Sequence, residues 1–323
     1  MKGWVCVLLL AARAAAAQTP HPVVSQIAPK VFVVFEARAQ AREPDGNSVI
    51  FEAPGGLVVV DTGRHAWHRE AVLSLAKQRA RPILAIINTH WHLDHDSGNP
   101  YLREAYPHLV VYASSAIDGA LRGFLADSLK DSPRYLADDT LPAGIREDVA
   151  ADRLTILNGA ALKPDVIVNS STSVTLGGRV LRINLARHAA TAGDVWVLEP
   201  GSGVVALGDL VTLPAPYLET ACPEGWSKPL KTVAQTPFKT AIPGHGPTLS
   251  AADVLSYRTA FDAFLRCAAG EAAAEQCASA WVEDVKAMLM NGGYEPRDAK
   301  GAAAYYVGFL RKNNLQQRYC GVD

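Results

Sequence analysis

Three histidines and one aspartate lie within six residues, in the segment THWHLDH at positions 89–95. This segment follows ILAIIN, an apolar run that predicts a buried strand. Imidazoles and a carboxylate at the end of a buried strand favour a cleft that holds metal ligands. Because one metal ion does not comfortably take all four side chains, the spacing predicts two adjacent ions, and these ligand types suit zinc or another divalent metal. The candidate ligands are His90, His92, Asp94 and His95.

Strand and helix patterns alternate around this segment. Between residues 31 and 63, short β-branched runs separated by turn residues predict strands joined by hairpins. The apolar spacing over residues 67–79 predicts a helix, and LVVYAS predicts a further strand beyond the motif. This alternation is typical of a layered α/β domain. His65 and His68, near the start of the predicted helix, are interpreted as solvated residues, with a position in the lining of the cleft as the alternative for His65.

Two stretches depart from this alternation. Residues 115–165 have the pattern of helices separated by Pro and Gly. We interpret them as a helical insertion packed on the edge of the strands, with a lid over a site as the alternative. Strand patterns then return, and residues 251–323 predict a helical C-terminal extension.

The first 17 residues have the pattern of a secretory signal peptide. Lys2 precedes an apolar run from Val5 to Ala12, and small residues end at Ala17. A membrane anchor would need about 20 apolar residues in succession, and Arg13 interrupts this run. We therefore expect cleavage after Ala17 and export to the periplasm or the medium, without a stable membrane anchor.

Four cysteines remain once residues 1–17 are removed: Cys222, Cys267, Cys277 and Cys320. An even number of cysteines in an oxidising compartment predicts two disulfide bonds, with four buried thiols as the alternative. Sequence alone leaves the connectivity open. The short link between Cys267 and Cys277 favours a local pair, which would leave Cys222 with Cys320.

The charge balance limits the class of partner. The chain has 323 residues, with 31 Lys and Arg against 32 Asp and Glu and a formal net charge of −1. This balance leaves no broad positive field for a phosphate backbone, which disfavours nucleic acid as the main partner. We expect a small-molecule substrate, and the sequence predicts neither its contacts nor an oligomeric state.

The HxHxDH motif resembles that of the metallo-β-lactamase superfamily, and the resemblance extends over most of residues 30–250. Three later landmarks of the family come in the same order: a His after a strand, a Gly-Asp pair after a strand, and a His in a PGHG turn. In this chain they match His188 after VLRINLAR, Gly208-Asp209 after VVAL, and His245 in the turn at 243–246. The resemblance implies a four-layer αβ/βα sandwich over residues 18–250, with the helical insertion at about 115–165 inside it.

The resemblance also implies a role for each side chain. Of two zinc ions per chain, one is implied to bind His90, His92 and His188, and the other Asp94, His95 and His245, with Asp209 bridging them. Asp61, in an Asp-Thr-Gly segment after an early strand, is implied to orient a ligand imidazole. The chain departs from the family where Ala190, rather than His, precedes Thr-Ala-Gly-Asp. Either the loop is two residues longer, or the first metal has lost a ligand.

The function implied is hydrolysis of an ester, thioester, lactone or amide bond by a hydroxide that two metal ions activate, with Asp94 as the catalytic residue that orients it. Asp209 stands where the β-lactamases of the family usually carry Cys or Ser. Export to the compartment where β-lactams act keeps a β-lactamase as the alternative. A non-catalytic binding module on the same fold is the second alternative, because fold alone does not fix function.

Overall fold

The computed structural model describes residues 21–313 and Cys320, and the predicted signal peptide at 1–17 lies outside them. The strands in the described part are β1 (Val24–Ala28), β2 (Val31–Val34), β3 (Ser48–Ala53), β4 (Gly56–Val60), β5 (Ile83–Ile87), β6 (Val110–Ala113), β7 (Val166–Ile167), β8 (Thr172–Leu176), β9 (Arg179–Arg187), β10 (Gly193–Glu199), β11 (Val204–Thr212) and β12 (Thr240–His245). They form two sheets, in the orders β1-β2-β3-β4-β5-β6-β7 and β12-β11-β10-β9-β8.

Helices flank both sheets. They are α1 (Ala66–Arg79), α2 (Leu93–Asp96), α3 (Asn99–Ala105), α4 (Ala116–Arg122), α5 (Phe124–Leu136), α6 (Ala143–Leu157), α7 (Pro223–Gln235), α8 (Ala251–Ala269), α9 (Ala274–Asp284), α10 (Lys286–Asn291) and α11 (Pro296–Lys312), with a 3₁₀ turn at Gly159–Leu162. In the part of the chain that is described, none of these helices is long and apolar enough to span a bilayer.

The strands carry apolar residues on both faces of each sheet, so that one face packs against the other sheet and the opposite face packs against helices. In β2, Val31 and Val33 point into the core between the sheets, whereas Phe32 and Val34 point outward into a second core that includes residues of α1 and α3. Helices α7 and α8 cover the outer face of the second sheet. The order helix, sheet, sheet, helix confirms the predicted four-layer sandwich.

Helices α4 to α6 connect β6 to β7, in the stretch where the sequence predicts a helical insertion. The interpretation of His65 as a solvated residue is wrong, because this side chain is buried. Its contacts with α6 explain the burial. His65 Nδ1 lies 3.0 Å from Asp45 Oδ2, and its Nε2 lies 3.0 Å from Asp148 Oδ1 of α6. His68 is also buried, with its Nε2 2.8 Å from Ser48 Oγ.

The four cysteines of the described chain pair as predicted. Cys267 of α8 bonds to Cys277 of α9, with a Cα–Cα distance of 5.6 Å. Cys222, directly before α7, bonds to Cys320, with a Cα–Cα distance of 5.0 Å. The second pair joins residues 98 positions apart and ties the end of the chain to the sandwich.

Candidate metal centre

The histidine motif lies at the carboxyl end of β5. This strand is parallel to both of its neighbours, β4 and β6, so the carboxyl ends of three strands meet at one edge of the sheet. His90 and His92 follow β5, and α2 carries Asp94 and His95. All four side chains are buried.

The second sheet supplies two further residues to the same place. Asp209 lies within β11, and His245 ends β12, its parallel neighbour. A backbone hydrogen bond of 2.6 Å from Val195 N to Thr89 O joins the motif loop to this sheet. The candidate site therefore lies where the two sheets meet.

The six side chains form two groups that could each hold a metal ion: His90, His92 and Asp209 in the first, and Asp94, His95 and His245 in the second. Asp209 faces both groups. Its Oδ2 lies 3.6 Å from His90 Nε2 and 3.8 Å from His92 Nδ1. Its Oδ1 lies 3.3 Å from His95 Nε2 and 3.6 Å from His245 Nε2. The two oxygens of one carboxylate thus point at different groups.

The unpaired atoms of the site fit a divalent cation. His90 Nε2 and Asp209 Oδ1 are buried without a hydrogen-bond partner among the described residues, which is costly unless another group completes them. Two glycines allow the ligands to approach the backbone closely. A Cβ at Gly244 would collide with Asp209 Oδ1, and one at Gly46 would collide with the ring of His95. Imidazole nitrogens with carboxylate oxygens are a donor set that zinc accepts.

Asp61 contacts the site from behind the ligands. Its Oδ2 lies 2.9 Å from His95 Nδ1, and its two oxygens accept hydrogen bonds of 2.7 Å from Thr89 N and Thr89 Oγ1. Thr89 Oγ1 in turn lies 2.9 Å from His90 Nδ1. Contacts of this kind fix the orientation of a ligand imidazole and leave its other nitrogen directed at the metal.

Comparison with known proteins identifies the family of this chain. The metallo-beta-lactamase superfamily model matches residues 41–267, which is more than half of the chain. The chain belongs to the metallo-β-lactamase superfamily. A metallo-beta-lactamase from Pontibacter korlensis superposes with a TM-score of 0.54 at 19% identity, over 75% of this chain and 98% of that one. At this identity the likeness to that metallo-β-lactamase shows the fold alone.

Two curated proteins match shorter stretches of this superfamily member. A hydroxyacylglutathione hydrolase of Crocosphaera subtropica is 43% identical over 54 residues, which are 17% of this chain and 21% of that protein. An atrochrysone carboxyl ACP thioesterase of Pseudocercospora fijiensis is 33% identical over 91 residues, 27% of either protein. The chain therefore matches only 21% to 27% of the length of these relatives.

The departure from the metallo-β-lactamase pattern at Ala190 has a structural counterpart. Predicted ligand His188 belongs to neither metal group. It lies in the turn after β9 with a φ of 54°, and Ala190 is buried beyond it. Thr220 Oγ1 lies 2.8 Å from His92 Nε2 and donates a hydrogen bond of 3.0 Å to Ala190 O. Within the described residues, the first group therefore holds two histidines and Asp209, without a third histidine.

Glu36 is a residue of the site that the sequence did not reveal. Its Oε2 lies 3.1 Å from His245 Nδ1, and its Oε1 accepts a hydrogen bond from the hydroxyl of Tyr294. The side chain of Glu36 is only 8% exposed. A lone acid directly after the apolar run VFVVF was the available signal. Tyr294, which is 258 positions away, gave none.

Burial and neighbouring charges act on the pKa of each side chain in the site. Burial lowers the pKa of His90 well below its usual range, and the nearby His95 and His92 lower it further. Burial opposes the charging of His245, but the carboxylates of Asp209 and Asp94 outweigh burial and raise this pKa to about 10. Burial also opposes the ionisation of Asp209, yet His95 and His245 hold its pKa well below normal. The carboxylates are thus kept ionised, as ligation of a cation requires, and a metal ion that bound here would displace the proton of His245.

A cavity of about 870 Å³ opens above the two groups. Its floor includes His92, Asp94, Asp209 and His245. Residues of α5 and α6 form one wall, and residues of α11 with the segment 212–219 form the other. Helices α5 and α6 of the predicted helical insertion therefore border the cleft, and a lid over the site stays a prediction.

Proposed function

We propose that this metallo-β-lactamase superfamily member is a hydrolase that uses two divalent metal ions, with zinc as the first choice, to cleave an ester, thioester, lactone or amide bond. The position of Asp209 carries the proposal, because its two oxygens face two different groups of candidate ligands. Divalent ions supply Lewis acidity, which polarises a carbonyl and makes water nucleophilic near neutral pH. The residues that would hold them are His90, His92 and Asp209 for one ion, and Asp94, His95 and His245 with Asp209 for the other.

Asp94 is the residue to which we assign the orientation of the attacking water. It lines the floor of the cavity, and its Oδ2 lies 3.0 Å from His245 Nε2 and 3.6 Å from His95 Nε2. Burial opposes its ionisation, but these two histidines lower its pKa below the usual range. An ionised carboxylate accepts hydrogen bonds only, so Asp94 would hold the water by one of its protons.

The names of the curated relatives favour a thioester or ester over a β-lactam. One is a hydroxyacylglutathione hydrolase and the other an ACP thioesterase, although each matches only part of the chain. Asp209, in place of the Cys or Ser expected of β-lactamases, points in the same direction. A β-lactamase remains the second candidate, and the likeness to solved metallo-β-lactamases supports it at the level of fold.

The experiment that tests the proposal is a hydrolysis panel on residues 18–323 loaded with zinc, together with the metal content per chain. We expect about two ions per chain and turnover of thioesters, esters or lactones that a chelator abolishes. Nitrocefin and a phosphodiester complete the panel. Undiminished turnover after complete removal of metal would contradict the mechanism, as would a protein that binds no metal, which is the behaviour of a non-catalytic module.

We further propose that the protein is exported. The signal-peptide pattern at 1–17 and the two cysteine pairs support this location. Expression in a bacterial host with fractionation should yield a periplasmic or secreted chain that begins at Gln18 and has no titratable thiol. An intact chain in the cytoplasm, with reduced cysteines, would contradict the location.

A further inference from the structure

We infer that the cavity selects an uncharged substrate with a bulky apolar acyl group, and that it discriminates against acyl groups that carry a carboxylate. This inference rests on the proposed hydrolase function and adds the chemistry of the substrate. Four features carry it: the size of the cavity, its aromatic walls, the excess of acidic side chains that line it, and the engagement of its cations with other protein groups.

The size of the cavity exceeds what a small acyl group needs. Its volume is about 870 Å³, within the range of roughly 300–1,000 Å³ of pockets that enclose drug-sized ligands. An acetyl group would leave most of this space to water. The volume therefore fits an acyl chain of several carbons or a ring system.

Aromatic side chains from both walls extend to the candidate metal ligands on the floor of the cavity. On one side, the rings of Trp91 and Phe124 have their centroids 5.6 Å apart. On the other side, the ring of Tyr217 lies 5.1 Å from that of His92 and 6.1 Å from that of Tyr306. Phe309, one turn further along α11, also lines the cavity. Such rings bury large apolar area, which suits an apolar acyl group.

The charged side chains of the cavity are predominantly acidic. Among the described residues, eight acids and four bases line it. Two of the acids, Asp94 and Asp209, belong to the candidate metal groups, which leaves six acids against four bases on the walls and rim. A substrate carboxylate placed along these walls would therefore meet a negative field.

Three of the four cations already bind protein groups. Arg64 pairs with Asp152. Arg38 donates hydrogen bonds to the carbonyls of residues 292 and 293, and Arg153 donates to a carbonyl of α5 and to a serine hydroxyl. Lys130 is exposed at the rim on α5. Each guanidinium that lines the cavity in the described part of the chain is thus held by a protein group through at least one nitrogen, which opposes its reorientation toward a substrate carboxylate.

The wall beside α6 already contains carboxyl groups whose ionisation is opposed by burial and by their neighbours. Burial raises the pKa of Glu43, and the neighbouring Asp152 and Asp94 add to this rise against the opposite effect of Arg64. Burial likewise raises the pKa of Asp152, despite its pairing with Arg64. A further carboxylate at this wall would meet the same burial and the same neighbours.

A pair of esters that differ only in charge tests the inference directly. We would compare 4-nitrophenyl hexanoate with the mono-4-nitrophenyl ester of adipic acid, whose acyl chain has the same length and ends in a carboxylate. With the zinc-loaded protein, we expect kcat/KM to be at least about tenfold higher for the hexanoate. An equal or higher value for the adipate ester would overturn the inference and leave the hydrolase function intact.

Binding of non-hydrolysable analogues separates the inference from the function. Isothermal titration of the same protein with the ketone hexanophenone and with 6-oxo-6-phenylhexanoic acid, whose acyl chain has the same length and ends in a carboxylate, should give at least about tenfold tighter binding of the neutral ketone. A carboxylate that coordinated metal would reverse this preference. If the neutral ketone binds more tightly but no ester is cleaved, the hydrolase proposal fails, whereas the preference of the cavity for a neutral apolar ligand stands. If neither ketone binds, or the anionic one binds better, the inference fails.

A wall variant with a matched control locates the selectivity. Phe309→Ala should raise KM for the hexanoate several-fold and leave the acetate ester unchanged, because only the longer acyl chain reaches α11. Leu255→Ala removes an apolar side chain from α8 at a position that is 50% exposed and does not line the cavity, so it should change neither value. Equal effects of the two variants on the hexanoate would contradict the assignment of this wall.

Discussion

Asp209 is the side chain on which the proposed two-metal site depends most, since among the described residues it is the carboxylate that faces both groups of candidate ligands. Asp209→Ser replaces the two carboxylate oxygens with one hydroxyl and removes the negative charge. We expect the bound metal to fall from about two ions toward one per chain, and kcat/KM for an ester to fall by at least about tenfold, or roughly 1.4 kcal/mol. Elemental analysis and steady-state kinetics measure both. The exposed Asp139→Ser serves as the control, and two retained ions with full activity would contradict the bridging role.

Glu36 contacts His245 but belongs to neither group of candidate ligands, so we expect its effect to appear in metal affinity. Glu36→Gln keeps a hydrogen-bonding group beside His245 Nδ1 but removes the charge. We expect affinity for the second ion to fall by about tenfold, the size of effect seen when such supporting contacts are lost. Competition with a chromophoric chelator measures this affinity, and Tyr294→Phe should shift it in the same direction by less. Glu275→Gln, on the surface of α9, should leave it unchanged. Equal affinities in all four proteins would contradict the positioning role.

The site residues that could be identified from the sequence are those that lie close together along the chain. The HxHxDH segment lies on one loop, so its spacing alone predicted a cluster. Glu36 and Thr220 contact His245 and His92 from distant parts of the chain, and no local pattern encodes such contacts. The same reason applies to His188. Its place in the family's order was visible, but the turn that directs Ala190 toward Thr220 depends on packing.

Among the elements, the hairpin between β10 and β11 makes a testable contribution to acid stability. Glu199 ends β10, lies 2.9 Å from Arg179 Nη2, and accepts a hydrogen bond of 2.6 Å from Ser202 N. Burial opposes its ionisation, but the bonds from Arg179 and Ser202 outweigh burial and hold its pKa at about 2, compared with an ordinary 4.5. A lowered native pKa stabilises the fold above the unfolded-state value, and this stability is lost as the pH falls toward 2.

Glu199→Gln should therefore lower the free energy of unfolding by about 1–2 kcal/mol at pH 7, and this deficit should shrink between pH 4.5 and 2. Urea unfolding of the metal-free protein at pH 7 and at pH 3 measures it. Metal-free protein is used because loss of metal at low pH would itself change the free energy of unfolding. A deficit that is the same at both pH values would show that the charge of Glu199 is not the cause.

The bounds of α1 could be predicted from the local sequence pattern, whereas contacts between elements could not. Residues 67–79 were predicted as a helix from apolar spacing, and α1 covers Ala66–Arg79. The burial of His65 at the start of that helix depends on Asp148 of α6, 83 positions away. Without knowledge of where the insertion packs, an exposed histidine was the simpler interpretation. The position of α5 and α6 beside the cleft depends on the same packing.

For the whole molecule, the bond between Cys222 and Cys320 fastens the end of the chain to the sandwich. Because it closes a loop of 98 residues, its removal should cost about 2–4 kcal/mol, more than the loss of the bond between Cys267 and Cys277, which are 10 positions apart. The double variants Cys222→Ser/Cys320→Ser and Cys267→Ser/Cys277→Ser, compared by urea unfolding, test this order. A larger loss in the second double variant would reverse it.

The order of the parts along the chain has a consequence for how the cavity comes into being. All six candidate ligands precede residue 246, whereas α11, which forms part of one wall, begins at Pro296. Ribosomes deliver the amino end first, at about 5–20 residues per second. Every nascent chain therefore contains all six candidate ligands for a few seconds before its last wall has been synthesised. A site that assembled at that stage would lack part of the wall to which we assign selectivity for the acyl group.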